Sequence, residues 1–358
     1  MKLHDLGFND WFTQRLNESG KTTYSIARIT AVNKGSYLVR NECGEVISEL
    51  AGEFIFSTKL GSKYPVVGDW VFVQYYNNNT LAIIYDILPR KTILKRKMAG
   101  KEINYQLIAS NIDLAFIFQS CDLNFNLNRL ERYLVMVSDG QIDPVILLSK
   151  SDLVSQKDLE RIFTEIRNAN IKCDVIAYSV ETGSGLVQIQ QILKLGLTYC
   201  LLGSSGVGKT TLLNHLIGQD TFKINLVREK DSRGRHTTSR RQLVVLDQGA
   251  MLIDTPGMRE LGSISIRSGI EESFSDIIEL SKSCNFNNCT HTQEVGCSVL
   301  EAVQNGSLNE SHYRNYLKLK RESDYYQMSD IEKRRKNRKF GQFIKSAIKQ
   351  HKKIRGKD

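Results

Sequence analysis

The chain has 358 residues, 41% hydrophobic and 25% charged, which supplies apolar surface for two or three buried cores and excludes an intrinsically disordered protein. No apolar run reaches the roughly 20 residues of a membrane-spanning helix, so the expected setting is soluble and cytoplasmic, with no membrane partner. The net charge of +10 is concentrated in the tail: Ile331 to Asp358 carries twelve Lys or Arg against Glu332 and Asp358, an excess of ten that leaves the rest of the chain neutral. Such a tail is the electrostatic footprint of a polyanion partner.

Leu3, Leu6, Trp11, Phe12 and Leu16 recur at near-helical spacing, which predicts a short amphipathic N-terminal helix within residues 1–20. The pattern then changes to short alternating strands at Tyr24 to Thr30, Ser36 to Arg40, Glu45 to Leu50, Trp70 to Tyr75 and Leu81 to Leu88. Asn33-Lys34-Gly35, Cys43-Gly44 and Asn77-Asn78-Asn79 are the turns between them. Five strands within residues 21–98 predict a small closed β-barrel of the oligonucleotide-binding (OB) type, and a barrel of the SH3 kind would read much the same. The basic exit Arg90-Lys91 and Lys95-Arg96-Lys97 reads as a phosphate-facing rim.

Residues 99–268 alternate strands and helices. Asp113 to Phe118, Pro144 to Ser149, Asp174 to Tyr178, Thr198 to Leu202, Gln242 to Leu246 and Met251 to Asp254 are apolar and of strand length, with helix-period segments such as Asn128 to Val137 and Lys157 to Ile166 between them. That rhythm predicts a mainly parallel sheet with helices on both faces and ligands at the carboxyl ends of the strands.

Every motif falls at such an end. Ser149-Lys150-Ser151-Asp152 follows the second strand. A carboxylate there accepts two hydrogen bonds from the N1–H and N2–H₂ of guanine, whereas adenine offers an acceptor at N1. The first position is Ser149 in place of the usual Asn or Thr, so a side-chain amide contact to the base or the phosphate loop is expected to be missing. Alone, Ser-Lys-x-Asp would read as a helix N-cap. Ser179 and Val180, followed by Glu181-Thr182-Gly183-Ser184-Gly185, match a short loop whose backbone N–H meets the guanine oxygen.

Gly203-Ser204-Ser205-Gly206-Val207-Gly208-Lys209-Thr210-Thr211 fits G-x-x-x-x-G-K-[ST] between a strand and a helix. Glycines let successive backbone N–H groups turn inward around phosphate oxygens, with the helix N-terminus behind them. Lys209 is expected on the outer phosphates and the Thr210 hydroxyl on magnesium. The polar loop Arg228 to Arg241 offers Thr237 or Thr238 to the magnesium shell. Asp254-Thr255-Pro256-Gly257 then supplies a carboxylate for magnesium and a glycine N–H for the γ-phosphate.

Cys284-x4-Cys289-x-His291-x5-Cys297 places three thiolates and an imidazole within fourteen residues. That is the ligand set of a closed, structural zinc site, one zinc per chain. The other cysteines (Cys43, Cys121, Cys173, Cys200) are scattered, which suits metal binding over a disulfide framework. A zinc-binding region over residues 269–330 and the basic tail at 331–358 complete the organisation.

The parts run in the order guanine motif, base loop, phosphate loop, threonine loop, DTPG, whereas ordinary GTPases begin with the phosphate loop. In this order, and in Gln106 to Asp113, the GRHTT run of Gly234 to Thr238, and Met258-Arg259-Glu260 after DTPG, the chain resembles the RsgA family of circularly permuted GTPases over roughly residues 20–320. The resemblance implies an N-terminal OB barrel, a permuted P-loop GTPase domain and a C-terminal α-helical zinc domain. It implies GTP hydrolysis, with magnesium, in late maturation of the 30S ribosomal subunit, contact with 16S rRNA, stimulation by the subunit, and action as a monomer. Met258 stands where many GTPases carry the water-orienting glutamine, and the resemblance offers His236 for that role. A phosphate-loop kinase and a purely RNA-binding module are the competing classes; the DTPG turn and the guanine motif speak against the kinase.

Overall fold

The computed structural model describes residues 1–33, 35–57, 64–97, 105–122, 124–218, 241–254 and 267–329, with scattered tail positions between 331 and 346. A turn of 3-10 helix (His4–Leu6) and α1 (Asp10–Ser19) open the chain. They are held by aromatic packing: Phe8 meets the buried Trp70 edge-on at 4.8 Å between ring centroids, and Phe12 lies 6.1 Å from the same ring.

The period-two segments become β1 (Ser25–Val32), β2 (Tyr37–Asn41), β3 (Gly44–Leu50), β4 (Trp70–Tyr76) and β5 (Leu81–Ile87), with α2 (Gly52–Ser57) between β3 and β4. They pair in the ring β1-β2-β3-β5-β4 and back to β1, antiparallel except for the parallel pair β3–β5. This closed ring of five is the OB-type barrel, filled by Ala27, Ile29, Val39, Val71, Val73, Ala82 and Ile84. Nearly all of β1 is buried, because its other face abuts the main core of the protein.

The next strands, β6 (Ile93–Lys97) and β7 (Tyr105–Ser110), form an antiparallel hairpin that periodicity did not announce. Lys95 and Arg96 of this hairpin are engaged within the fold, as is Arg90 before it, whereas Lys91 is exposed. Arg90, just before the hairpin, grips the fully buried Asp69 through two bonds of 2.7 Å. Lys95 pairs with Asp139 at 2.8 Å, and Arg96 donates to the Gln106 side chain.

Then the alternation predicted from sequence appears: β8 (Leu114–Ser120), α3 (Leu127–Asp139), β9 (Asp143–Ser149), α4 (Gln156–Asn168), β10 (Asp174–Ala177), α5 (Leu186–Ile192), β11 (Thr198–Gly203) and α6 (Lys209–Ile217). Side-chain caps start two of these helices: Asn126 accepts from the Arg129 N–H at 2.8 Å, and Ser155 from the Asp158 N–H at 3.1 Å. After β12 (Arg241–Val245) and β13 (Met251–Asp254), the strand order is β10-β9-β8-β11-β13-β12, parallel from β10 to β13 with β12 antiparallel at the end. Strands such as β8 and β11 are buried along almost their whole length because helices cover both faces. β12 then pairs antiparallel with β1, Ala31 opposite Gln242 and Val32 opposite Arg241, so the barrel and the parallel sheet share one ladder.

Among the described residues before 330, four helices follow: α7 (Arg267–Ser273), α8 (Ser275–Ser281), α9 (Ser298–Gln304) and α10 (Glu310–Gln327). α7 and α10 dock on α3. Arg132 donates to Glu322 at 3.0 Å and Ser268 to Asp139 at 3.1 Å, while the buried Glu131 receives both His312 and Asn315. No described helix is long and apolar enough to cross a membrane.

Candidate nucleotide site and metal centre

In the parallel sheet the chain runs outward from β8 to β9 to β10, then returns to the other side of β8 as β11. Between β8 and β11 lies the switch point at whose carboxyl edge ligands of such sheets bind. The phosphate-loop sequence begins there, at the end of β11. Gly203 (φ 154°) sits so close to β8 that a Cβ would come within 2.9 Å of the Phe118 carbonyl oxygen. Gly208 caps α6 at φ 90°, a left-handed conformation that an L side chain resists. Val207 is buried, whereas Ser205, Gly206, Thr210 and Thr211 face solvent, with Ser204 and Lys209 between these extremes. The Lys209 ammonium donates to the Gly203 and Ser204 carbonyls at 2.8 and 2.7 Å.

The guanine-motif segment adjoins this loop. The Ser149 hydroxyl, almost wholly buried, donates to the Val207 carbonyl at 2.7 Å. The amide contact that a serine lacks is here replaced by a hydroxyl one, because the end of β9 lies close enough to the loop for a serine to reach it. Lys150 adopts φ 57° and turns the chain into a single 3-10 turn, Ser151–Leu153, which carries Asp152 exposed. The Ser151 N–H donates to the Tyr178 carbonyl at 3.2 Å, tying this turn to the end of β10. There the Ser179 N–H donates to the Ser184 carbonyl at 3.0 Å, and the Ser179 hydroxyl accepts from the Thr182 N–H at 3.2 Å, closing the loop that also carries Val180.

Two neighbours escaped the sequence reading. Asp122, just past β8, accepts from the Lys150 ammonium at 3.1 Å and from the Ser120 hydroxyl at 2.6 Å. The Ser120 hydroxyl above all, with the Asn124 amide and Lys150, holds the Asp122 carboxyl below its ordinary range despite some burial. The Tyr178 ring packs beneath the phosphate loop. The available signal was positional, since both follow the carboxyl ends of parallel strands, Asp122 after β8 at the switch point and Tyr178 after β10. Asp254 ends β13 with its backbone in register with Leu201 and Gln242. Gly257, His236, Thr237 and Thr238 lie outside the described residues.

The second constellation lies on the far side of α3. The ligand atoms of Cys284, Cys289, His291 and Cys297 lie within 4.8 Å of one another. With bonds of about 2.3 Å to sulfur and about 2.05 Å to nitrogen, a tetrahedral zinc site has S···S edges of ~3.8 Å and S···N edges of ~3.6 Å. The observed separations match: Cys284 Sγ to Cys297 Sγ is 3.8 Å, and His291 Nδ1 lies 3.6 and 3.5 Å from those two sulfurs. The donor set fits a zinc ion. Burial opposes ionisation of Cys284, but the Val299 and Ser298 N–H groups at the start of α9 lower its pKa overall. The Leu300 N–H donates to Cys297 Sγ at 3.5 Å. Burial, then Lys320, lowers the His291 pKa, favouring the neutral imidazole that a metal accepts. His291 itself has φ 60°, and the Tyr313 hydroxyl donates to its carbonyl at 2.6 Å.

The fold and the order of its parts define a circularly permuted GTPase: the base-side strands β8 to β10 precede the phosphate-loop strand in sequence, yet all end at one edge of the sheet. The model of the RsgA GTPase family matches residues 87–264. The small ribosomal subunit biogenesis GTPase RsgA 1 of Bacteroides thetaiotaomicron is 37% identical over 96% of each chain. RsgA 2 of Listeria monocytogenes is 39% identical over the full length of both. The crystal structure of YjeQ from Thermotoga maritima superposes with a TM-score of 0.62 at 25% identity, covering 83% of this chain and 98% of that one. The chain belongs to the RsgA GTPase family, and by that membership it is a GTP hydrolase.

Proposed function

We propose that the protein hydrolyses GTP during late maturation of the 30S ribosomal subunit, as a cytoplasmic monomer that binds 16S rRNA and is stimulated by the subunit. The reading draws on the relatives' names as small ribosomal subunit biogenesis GTPases and on the OB-type barrel and basic tail, both suited to polyanions. The proposed bodies are residues 1–20 as the N-terminal helix, 21–98 as the barrel, 99–268 as the GTPase domain, 269–330 as the zinc domain and 331–358 as the tail.

The observation that carries the nucleotide assignment is the pair of bonds from Ser149 to Val207 and from Ser151 to Tyr178. They hold the guanine motif against the phosphate loop and the base loop at once. In this reading Asp152 accepts the N1–H and N2–H₂ of guanine, the Lys150 stem lies along the base, and the Ser179-Val180 backbone meets the guanine oxygen. The amides from Gly203 to Thr211 surround the phosphates. Lys209 moves from the Gly203 and Ser204 carbonyls to the outer phosphates, where its charge offsets that developing on the transferred group.

Thr210 and Asp254, with Thr237 or Thr238, would hold magnesium, which supplies further charge neutralisation at the phosphates. His236 is the proposed group that positions the attacking water. Cys284, Cys289, His291 and Cys297 would hold one structural zinc. The test is Asp152→Asn, whose side chain presents an N–H where guanine also presents one. GTP affinity should fall about 10- to 100-fold while that for xanthosine triphosphate rises. An unchanged preference between the two nucleotides would contradict the guanine assignment.

A further inference from the structure

Serine at position 149 has one proton to donate, where an asparagine amide would have two. The nearer acceptor for that proton is the Val207 carbonyl at 2.7 Å, with the Gln119 carbonyl at 3.3 Å. Beside it stands a second hydroxyl. Tyr178 is 1% exposed, and a Cβ on Gly208 would lie 3.6 Å from its hydroxyl oxygen and 3.7 Å from Ser149 Oγ. Both hydroxyls thus lie under the turn that leads into α6, and Ser149 is near enough to Tyr178 to act on its ionisation.

The Tyr178 hydroxyl has no partner at hydrogen-bonding geometry among the described residues. Leaving a buried hydroxyl unsatisfied is costly, and phenylalanine would fill the same space without that cost. Phe118 packs edge-on against the ring at 6.4 Å and fixes its plane. Burial above all raises the phenol pKa, against a smaller lowering by the neighbouring Ser149 hydroxyl, so the group remains a neutral donor. Its neighbour Ser149 retains lone pairs to accept.

We propose that Tyr178 is a positioning residue for the phosphate loop. When nucleotide is bound, its hydroxyl donates to Ser149 Oγ while Ser149 donates to the Val207 carbonyl. This two-hydroxyl relay replaces the asparagine amide that the guanine motif ordinarily carries at position 149, and each bond in such a chain polarises the next. It fixes the Val207-Gly208 turn from which the α6 amides point at phosphate. The inference rests on the guanine-nucleotide reading and adds a residue that touches neither base nor phosphate.

The test measures GDP affinity in the full chain for the wild type, Tyr178→Phe, Ser149→Ala, the corresponding double variant, and Tyr178→Phe combined with Ser149→Asn. Tyr178→Phe should weaken GDP about fivefold, the size of one neutral hydrogen bond. Adding Tyr178→Phe to Ser149→Ala should weaken binding no further, since the relay is already broken. Ser149→Asn should restore affinity in the Tyr178→Phe background, which a merely structural tyrosine would not allow. Tyr178→Phe within twofold of the wild type, losses that multiply independently, or failed rescue would overturn the relay. A wild type that binds GDP no better than ADP would overturn the nucleotide reading itself.

Discussion

Between α3 and the C-terminal helices, His312 is completely buried, with Nδ1 on Glu131, Nε2 3.2 Å from Asp276 and the Phe274 ring 4.7 Å away. Burial alone would lower its pKa, but hydrogen bonds and charge from Asp276 and Glu131 outweigh it and raise the value to about 9. The imidazolium consequently ties α10 to α8 and α3. Because the folded pKa lies above the unfolded value of 6.5, the stabilisation is complete below about pH 6.5 and is lost as pH rises through about 9. Wild-type thermal unfolding should therefore shift down by roughly 5 °C between pH 6.5 and 9.5. His312→Gln should start lower and show a flatter profile; parallel profiles would contradict the charged clamp. None of this was legible in the sequence, since Glu131, Asp276 and His312 are brought together only by docking across 181 residues of chain. The reach of Ser149 to Val207 was hidden for a related reason: residue type gives a side chain's chemistry, whereas its reach depends on how near the facing loop comes.

The zinc loop is an element whose geometry depends on its ligands. Cys284 follows α8, and Cys297 both caps α9 and joins the metal cluster. Cys297→Ala removes a ligand and a cap together. Bound zinc should fall from one per chain to none, and protection from hydrogen exchange after Leu280 should be lost while the parallel sheet keeps its own. A variant that retains its metal, or a wild type that holds none, would contradict the assignment. Spacing, together with the family resemblance, made this Cys₃His cluster legible, because all four residues lie within one short loop. The barrel strands and the alternating strands and helices were also legible from periodicity, to within a few residues at their ends. The hairpin β6–β7 was not. Its Lys95 and Arg96 read as an exposed basic rim because a sequence does not reveal that Asp139 and Gln106 face them.

At the scale of the molecule, three bodies meet around Arg28 and α3. The Arg28 guanidinium, almost wholly buried, donates to the carbonyls of Leu6, Gly68 and Asn111 and lies 3.2 Å from the Met251 sulfur. Burial is the main cause that lowers its pKa to about 10, against the pull of Asp113 and Asp69. This contact joins the N-terminal segment, the barrel and β13. β1 of the barrel continues the ladder into β12, whose Gln242 faces Asp254, the proposed magnesium ligand. The barrel is thus separated from the phosphate-loop strand β11 by two strands, β12 and β13, and the C-terminal helices reach the same sheet through α3. The order of motifs along the chain made the permutation legible; the shared ladder was not, because strand pairing across domains leaves no periodic trace.

In the proposed reading the protein is a guanine-specific hydrolase that works slowly alone and is brought to full rate by the 30S subunit. The most direct test measures phosphate release from GTP and from ATP, each with and without purified 30S subunits. GTP should be hydrolysed slowly by the protein alone and at least about tenfold faster with 30S, a gain of ~1.4 kcal/mol in barrier height, while ATP stays near background throughout. Equal rates on the two nucleotides, or a GTP rate that 30S subunits leave unchanged, would contradict it.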